Sequence, residues 1–296
     1  MTMEEIAALD MGSKNFKLVR GHCSDGRIGT RMVQKVRLNL GTTITANQGV
    51  IPWQKLAEID TVLTELQDYC HQHGITRLMA IATHAVNHAK NGAEVLALCR
   101  NRGIDLEIVD GPREAEIGYL AATHGESEHL VSELGSHSCQ IAWLTGGRIE
   151  SSCFQPGYMG AYTDFIRPAT TLQQARTDYR AFLENAITEL PTNTRRYVAL
   201  ASNTVTGFVL GKDKDQATGL LPRSALLGKL HQLDALTPQQ FETLKRNNLK
   251  ADKLLAGSIF LDYLLERSGH GEALITDVEL PVGLIVEYFQ GRQASI

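Results

Sequence analysis

Apolar and polar positions alternate in blocks that outline the architecture. The chain opens on an apolar run, Ile6 to Leu9. A polar turn, Asp10-Met11-Gly12-Ser13-Lys14-Asn15, leads to a second run, Phe16 to Val19. Two apolar runs around a Gly-Ser turn predict a β-hairpin. Strands are expected over 6–10, 16–21 and 33–38. Leu56, Ile59, Leu63 and Leu66 then recur at helical spacing and predict a helix over 52–74. Strand, helix and strand follow over 78–83, 85–102 and 105–110. A helix over 112–123 carries Pro112 in its first turn, where a missing N–H costs nothing.

The pattern then restarts. Strands over 130–133 and 140–144 flank Gly135-Ser136-His137-Ser138, and the turn Thr145-Gly146-Gly147-Arg148 leads into a strand over 149–154. Helices over 171–188 and 222–233 flank a strand over 197–201. A helix over 254–267, a strand over 273–276 and a helix over 282–289 complete the chain. Both halves read as β-β-β-α-β-α and open on a hairpin with a small polar turn. The expected fold class is therefore α/β with two related domains, 1–123 and 124–296. They would divide at the polar stretch His124-Gly125-Glu126-Ser127-Glu128.

The turns carry the candidate chemistry. Backbone N–H groups and hydroxyls at Gly12, Ser13, Lys14 and Asn15, and at Gly135, Ser136 and Ser138, suit phosphate oxygens. Asp10 and Glu133 each stand at a strand end just before a turn. Such carboxylates suit Mg²⁺, which takes oxygen ligands and keeps waters. Lys14 adds a point charge toward an anion, or is a solvated turn lysine. Glu114, in a helix first turn, either complements the helix dipole or orients and deprotonates a water.

A hydrophobic share of 43% with 21% charged residues describes a globular chain. The net charge of −4 argues against bulk nucleic-acid binding, and a polyanionic ligand would need a local basic groove. Cys23, Cys70, Cys99, Cys139 and Cys153 lack CxxC spacing, which argues against a zinc site or a disulfide framework. Neither a signal-peptide core nor an apolar run of membrane-spanning length is found, so a cytoplasmic location is the expectation.

Taken in order, the motifs resemble the exopolyphosphatase/guanosine-pentaphosphate phosphatase (Ppx/GppA) family. The family's Asp-x-Gly-Ser-Asn-Ser-Phe is similar to Asp10–Phe16, and its Val-Arg-Leu-x-x-Gly to Val36-Arg37-Leu38-Asn39-Leu40-Gly41. Its Ala-Thr-x-Ala-x-Arg-x-Ala-x-Asn resembles Ala82 to Asn91, and its Ser-Gly-x-Glu-Glu-Ala-Arg resembles Asp110 to Glu116. Looser likenesses follow at Gly157-Tyr158-Met159-Gly160, Ala201-Ser202-Asn203-Thr204 and Ala256-Gly257. The resemblance implies two actin-like (ribonuclease H-like) domains with the active site in the cleft between them. It assigns the catalytic glutamate to Glu114 and phosphate contacts to the two turns and Thr83. Its substrates would be inorganic polyphosphate or a guanosine polyphosphate nucleotide, without nucleic acid or membrane as partner; a homodimer is left open.

Departures fall in the loops. The family's Asp-Ile-Gly-Gly-Gly-Ser-Thr-Glu reads Glu133-Leu134-Gly135-Ser136-His137-Ser138-Cys139-Gln140. The arginine after Thr-x-Ala is Asn87, the Gly-Gly-Thr turn is Ser202-Asn203-Thr204, and Leu-Arg-Glu-Gly is Leu280-Pro281-Val282-Gly283. Loss of a cation that stabilises transition-state charge lowers a rate on the order of 10²–10³. Two readings follow: a phosphohydrolase with reduced activity, or a catalytically impaired relative that binds a phosphorylated nucleotide or a partner protein in a regulatory role. A sugar or acetate kinase of the same superfold is weaker, because Ser202-Asn203 lacks the Gly-Gly turn it needs. His84, His88 and His137 read as solvated loop histidines before they read as a metal or acid–base set.

Overall fold

The computed structural model describes residues 4–211, 213, 217–234, 236, 240, 243 and 251–293. The chain divides into two compact units, Met1–His124 with Leu280–Ile296, and Gly125–Glu279.

In unit 1, β1 (Glu5–Met11) pairs antiparallel with β2 (Asn15–Ser24), which pairs antiparallel with β3 (Arg27–Arg37). On its other side β1 runs parallel to β4 (Arg77–Ala82), and β4 parallel to β5 (Asp105–Ile108). The sheet order is β3-β2-β1-β4-β5. The central strand is apolar without alternation because both of its faces are covered, and Ile6, Ala7, Ala8 and Leu9 are all at 0% exposure. Ala7, Leu9 and Met11 join the core that Ile59, Leu63 and Leu66 supply from α2 (Trp53–Gln72).

The predicted helix over 85–102 is two helices, α3 (His84–His88) and α4 (Gly92–Asn101). Asn91 breaks it. Its Oδ1 accepts from the Ile51 N–H at 2.8 Å and its Nδ2 donates to the Ile51 carbonyl at 3.0 Å. Gly92 permits the tight corner, since a Cβ there would lie 2.3 Å from the Val86 carbonyl oxygen. Helix α1 (Leu40–Ala46) has no forecast counterpart in the sequence. Helix α5 (Gly111–Thr123) begins as forecast: Asp110 caps it by accepting from the Arg113 N–H at 3.0 Å.

Unit 2 repeats the plan. Strands β6 (His129–Leu134), β7 (Cys139–Thr145) and β8 (Arg148–Phe154) form an antiparallel meander, and β6 runs parallel to β9 (Arg196–Leu200). A short 158–161 helix, α6, continues into a π-helical turn, Tyr162–Ile166. Helices α7 (Leu172–Ala186), α8 (Asn203–Leu210), α9 (Arg223–Asp234) and α10 (Ala251–Arg267) pack a core that includes Tyr179, Leu183, Leu226, Phe260 and Leu264. With β10 (Gly219–Pro222) and β11 (Glu272–Thr276) the order is β10-β11-β9-β6-β7-β8. Removing edge strand β10 leaves the same order as unit 1, so the internal duplication is structural.

The last helix, α11 (Pro281–Gln293), corrects the boundary expected at 124–296. It belongs to unit 1 and packs on α5, β1 and β2. Gly283 allows the approach, because a Cβ there would sit 2.0 Å from the Ile117 carbonyl oxygen. The Arg113 guanidinium forks onto both Glu287 carboxylate oxygens at 2.7 Å. Among the described residues no helix is long and apolar enough to cross a membrane.

Candidate active site

In unit 1 the predicted site residues gather at one edge of the sheet. Parallel pairing sets Asp10 beside Ile81 and Met11 beside Ala82, so the Gly12–Asn15 turn and Thr83 leave neighbouring strands at the same end. Ala82 pairs in turn with Ile108, and the Val109 N–H donates to the Ala82 carbonyl at 3.0 Å. That carries the cap Asp110, and Glu114 one turn on, to the same edge. Ligand sites of open α/β sheets form at the carboxyl ends of parallel strands for this topological reason.

The turn is held from behind. The Ser13 carbonyl accepts from the Gly41 N–H at 2.8 Å, and the Lys14 carbonyl accepts from Leu38 and Asn39 at 3.0 and 2.9 Å. Residues 36–41 are therefore a prop, and Gly41 is glycine because a Cβ would meet the Ser13 Cβ at 3.1 Å. Gly12 is similarly confined, 3.1 Å from the Asn15 carbonyl oxygen and 3.4 Å from Asp10 Oδ1 for an added Cβ. Two carbonyls of the turn, those of Ser13 and Lys14, are thus spent on the prop. Lys14 is exposed and Thr83 buried. Asp10 is buried and faces its cross-strand partner Lys17, whose Nζ lies 3.4 Å from Oδ2. Lys17 was not among the predicted site residues; its position opposite Asp10 across the hairpin was the signal for it.

Unit 2 builds its turn in the same way. The carbonyls of Gly135, Ser136 and His137 accept from Tyr158, Met159 and Gly157 N–H groups at 3.0, 3.2 and 2.8 Å. The Gly157-Tyr158-Met159-Gly160 motif thus props the second turn as 36–41 props the first. A Cβ on Gly157 would fall 2.5 Å from the Gly135 carbonyl oxygen. Glu133 is half-buried at the strand end before the turn, paired in register with Gln140 and Leu200. Ser136 Oγ meets His137 Nδ1 at 3.0 Å, and burial lowers the His137 pKa, favouring the neutral ring. Ser138 Oγ accepts from the Gln140 amide at 2.9 Å.

The sequence pattern of the Ppx/GppA phosphatase family matches residues 23–266. The chain belongs to that family. No curated protein matches the sequence. Among solved structures, the Ppx/GppA family member of Aquifex aeolicus is similar at a TM-score of 0.82 and 20% identity, covering 98% of this chain and 99% of its own. An exopolyphosphatase from Cytophaga hutchinsonii follows at a TM-score of 0.73 and 20% identity, covering 97% and 98%. A nucleoside triphosphate hydrolase from Neospora caninum, at a TM-score of 0.54 and 10% identity, covers 98% of this chain and 93% of its own. These likenesses establish the fold of two actin-like domains.

Against the family pattern, the departures have distinct structural roles. Asn87, at the arginine position, is exposed on α3. His84 and His88 on the same helix stack with ring centroids 4.0 Å apart, and His88 Nδ1 meets the His84 carbonyl at 2.9 Å. His137 belongs to unit 2. Ser202, in the third turn, is buried; it donates to the Leu200 carbonyl at 3.1 Å and precedes α8. Ala201 before it has φ of 53°, a left-handed backbone that glycine adopts without penalty. Lys253 Nζ donates to the Ala201 carbonyl at 2.8 Å and lies 5.7 Å from the Tyr158 ring centroid, which ties this turn to the second prop. No sequence spacing pointed to Lys253.

Proposed function

We propose that the chain is a phosphohydrolase that releases terminal phosphate from inorganic polyphosphate or guanosine pentaphosphate, with activity reduced by its loop departures. One observation carries the reading. The Gly12–Asn15 turn, Thr83 and the start of α5 with Glu114 all follow the carboxyl ends of the parallel strands β1, β4 and β5. Phosphoanhydride hydrolysis needs phosphate oxygens gripped, a water placed in line and an acceptor for its proton. The turn N–H groups, the Ser13 hydroxyl and Lys14 supply the grip. Glu114, one helical turn past the Asp110 cap, is the acceptor. In unit 2, Gly135, Ser136 and Ser138 form the second assigned phosphate-binding segment.

Mg²⁺ is the implied cation, and the donor chemistry suits it. Asp10 and Glu133 offer carboxylate oxygens, the ligands Mg²⁺ prefers while it keeps several waters. When bound, it would offset the charge that builds on phosphate oxygens. Lys17 beside Asp10 already offers one oxygen a counter-charge.

The test is phosphate release from polyphosphate and from guanosine pentaphosphate, with Mg²⁺ and with chelator. Glu114→Gln keeps the shape and removes the base; activity should fall by a factor on the order of 10² or more. Asn87→Arg should raise it by a factor on the order of 10 or more, since the missing cation is the defect the loops reveal. Equal release by wild type and Glu114→Gln would overturn the role of Glu114. A second reading, an impaired regulatory binder of a phosphorylated nucleotide or partner protein, draws on Asn87 and on the uncharged Gln140 held by Ser138. Nucleotide binding without release by any variant would favour it.

A further inference from the structure

Unit 2 contains a cavity of about 830 Å³ at the far end of its sheet from the Gly135–Ser138 turn. Strands β6, β9 and β11 run parallel, and the turn follows the carboxyl end of β6. The cavity is lined instead by Arg195 and Arg196 at the amino end of β9, by residues at the amino end of β11, and by the carboxyl end of α10 with Arg267. None of its lining residues is among those assigned above to phosphohydrolysis.

Its charges favour an anion. The side chains of Arg195 and Arg267 are 82% and 43% exposed, with loose ion pairs to Glu128 and Glu184 at 3.4 Å each. Surface pairs of that kind contribute little and yield readily to a ligand. Arg196 is exposed and makes no ion pair among the described residues. Of the two lining acids, Glu266 is already committed to Arg180 and Arg223, which hold its carboxyl below the usual range, and Glu272 at the start of β11 is outnumbered by the three arginines. The last carbonyls of α10 are taken as well: Leu264, Leu265 and Glu266 accept from Ser268, His270 and Gly269 N–H groups.

The wall is also built in advance. His270 meets Ser268 Oγ at 2.8 Å and the Thr194 carbonyl at 3.1 Å, which fixes the loop bearing Arg195 to the helix end bearing Arg267. A backbone fixed beforehand costs less order on binding. Leu220 on the edge strand, 56% exposed, gives the same cavity an apolar rim.

We propose that this cavity is a second anion site, and that it takes a phosphomonoester with a planar or apolar body, the chemistry of a mononucleotide. Planar guanidinium groups match the phosphate, and Leu220 covers the body. The probes are adenosine 5′-monophosphate and inorganic phosphate, titrated calorimetrically into the full chain. The monophosphate should bind, and Arg196→Glu with Arg267→Glu should weaken it about tenfold or more, the scale of one lost charge-assisted contact. Leu220→Ala should weaken the monophosphate and leave phosphate unchanged. Arg148→Glu, an exposed cation on the β7–β8 turn, should change neither affinity. All four side chains are exposed, and melting temperature checks folding; if the double variant unfolds, Arg196→Glu alone decides by the same criterion. No binding of the monophosphate at millimolar concentration, an affinity indifferent to the arginines, or one lost as much with Arg148→Glu would overturn the site.

Discussion

At the scale of single residues, the loops of this chain hold positions whose identity is set by neighbouring backbone. Gly41 and Gly157 stand against the two phosphate-type turns, where a Cβ would press on the turn itself. Ala201 stands in a position of the opposite kind. Its φ of 53° is one that an L-residue adopts at a cost of about 1–2 kcal/mol. Ala201→Gly should therefore stabilise unit 2 by about 0.5–1 kcal/mol, the relief of strain less the entropy of a glycine in the unfolded chain. Chemical denaturation measures it, and a loss of stability would show that the Ala201 methyl contributes packing that outweighs the strain. The sequence could name the turn but not this angle, because left-handed backbone at a non-glycine position leaves no compositional trace. Asp10 was legible as a strand-end acid, yet its ion pair with Lys17 required the hairpin register.

At the scale of elements, strongly periodic segments were readable and interrupted ones were not. Of the stripe Leu56, Ile59, Leu63, Leu66 on α2, all but Leu56 are buried. The break between α3 and α4 was invisible because it depends on Asn91 reaching Ile51, 40 positions away. Helix α11 was visible as a helix, but its docking was not. Two contacts fix that docking, and they make separable predictions. Gly283→Ala places a Cβ 2.0 Å from backbone, which cannot yield as a flexible side chain would, so unit 1 should lose about 3 kcal/mol. Glu287→Gln breaks only a charge-assisted fork whose acid side chain is 41% exposed, so the loss should be about 1 kcal/mol. Denaturant midpoints of the two variants rank them. Equal losses would mean that the Arg113 fork, and not close backbone packing, holds the helix.

At the scale of the whole molecule, the duplication was legible because each half spells the same strand order and the same turn-and-prop device. The boundary was legible at His124 and hidden at Leu280, since a chain that returns to its first unit obeys no local rule. The return makes unit 2, Gly125–Glu279, continuous in sequence, while unit 1 needs both ends of the chain. Val282, Leu284, Ile285, Val286 and Phe289 are all buried, and Ile285 covers Gly21 of β2 closely enough that a Cβ there would lie 2.5 Å away. Cutting the chain after Glu279 removes that cover and leaves an apolar sheet face in water. About five buried apolar side chains at roughly 1.5–3 kcal/mol each are comparable to the whole stability of a typical domain. The expected outcome is a truncated chain whose unit 1 amides lose protection in hydrogen exchange while those of unit 2 keep theirs. Supplying residues 280–296 as a separate peptide should restore part of the lost protection. Full protection of β1 and β2 in the truncated chain would show that α11 only decorates a unit already complete.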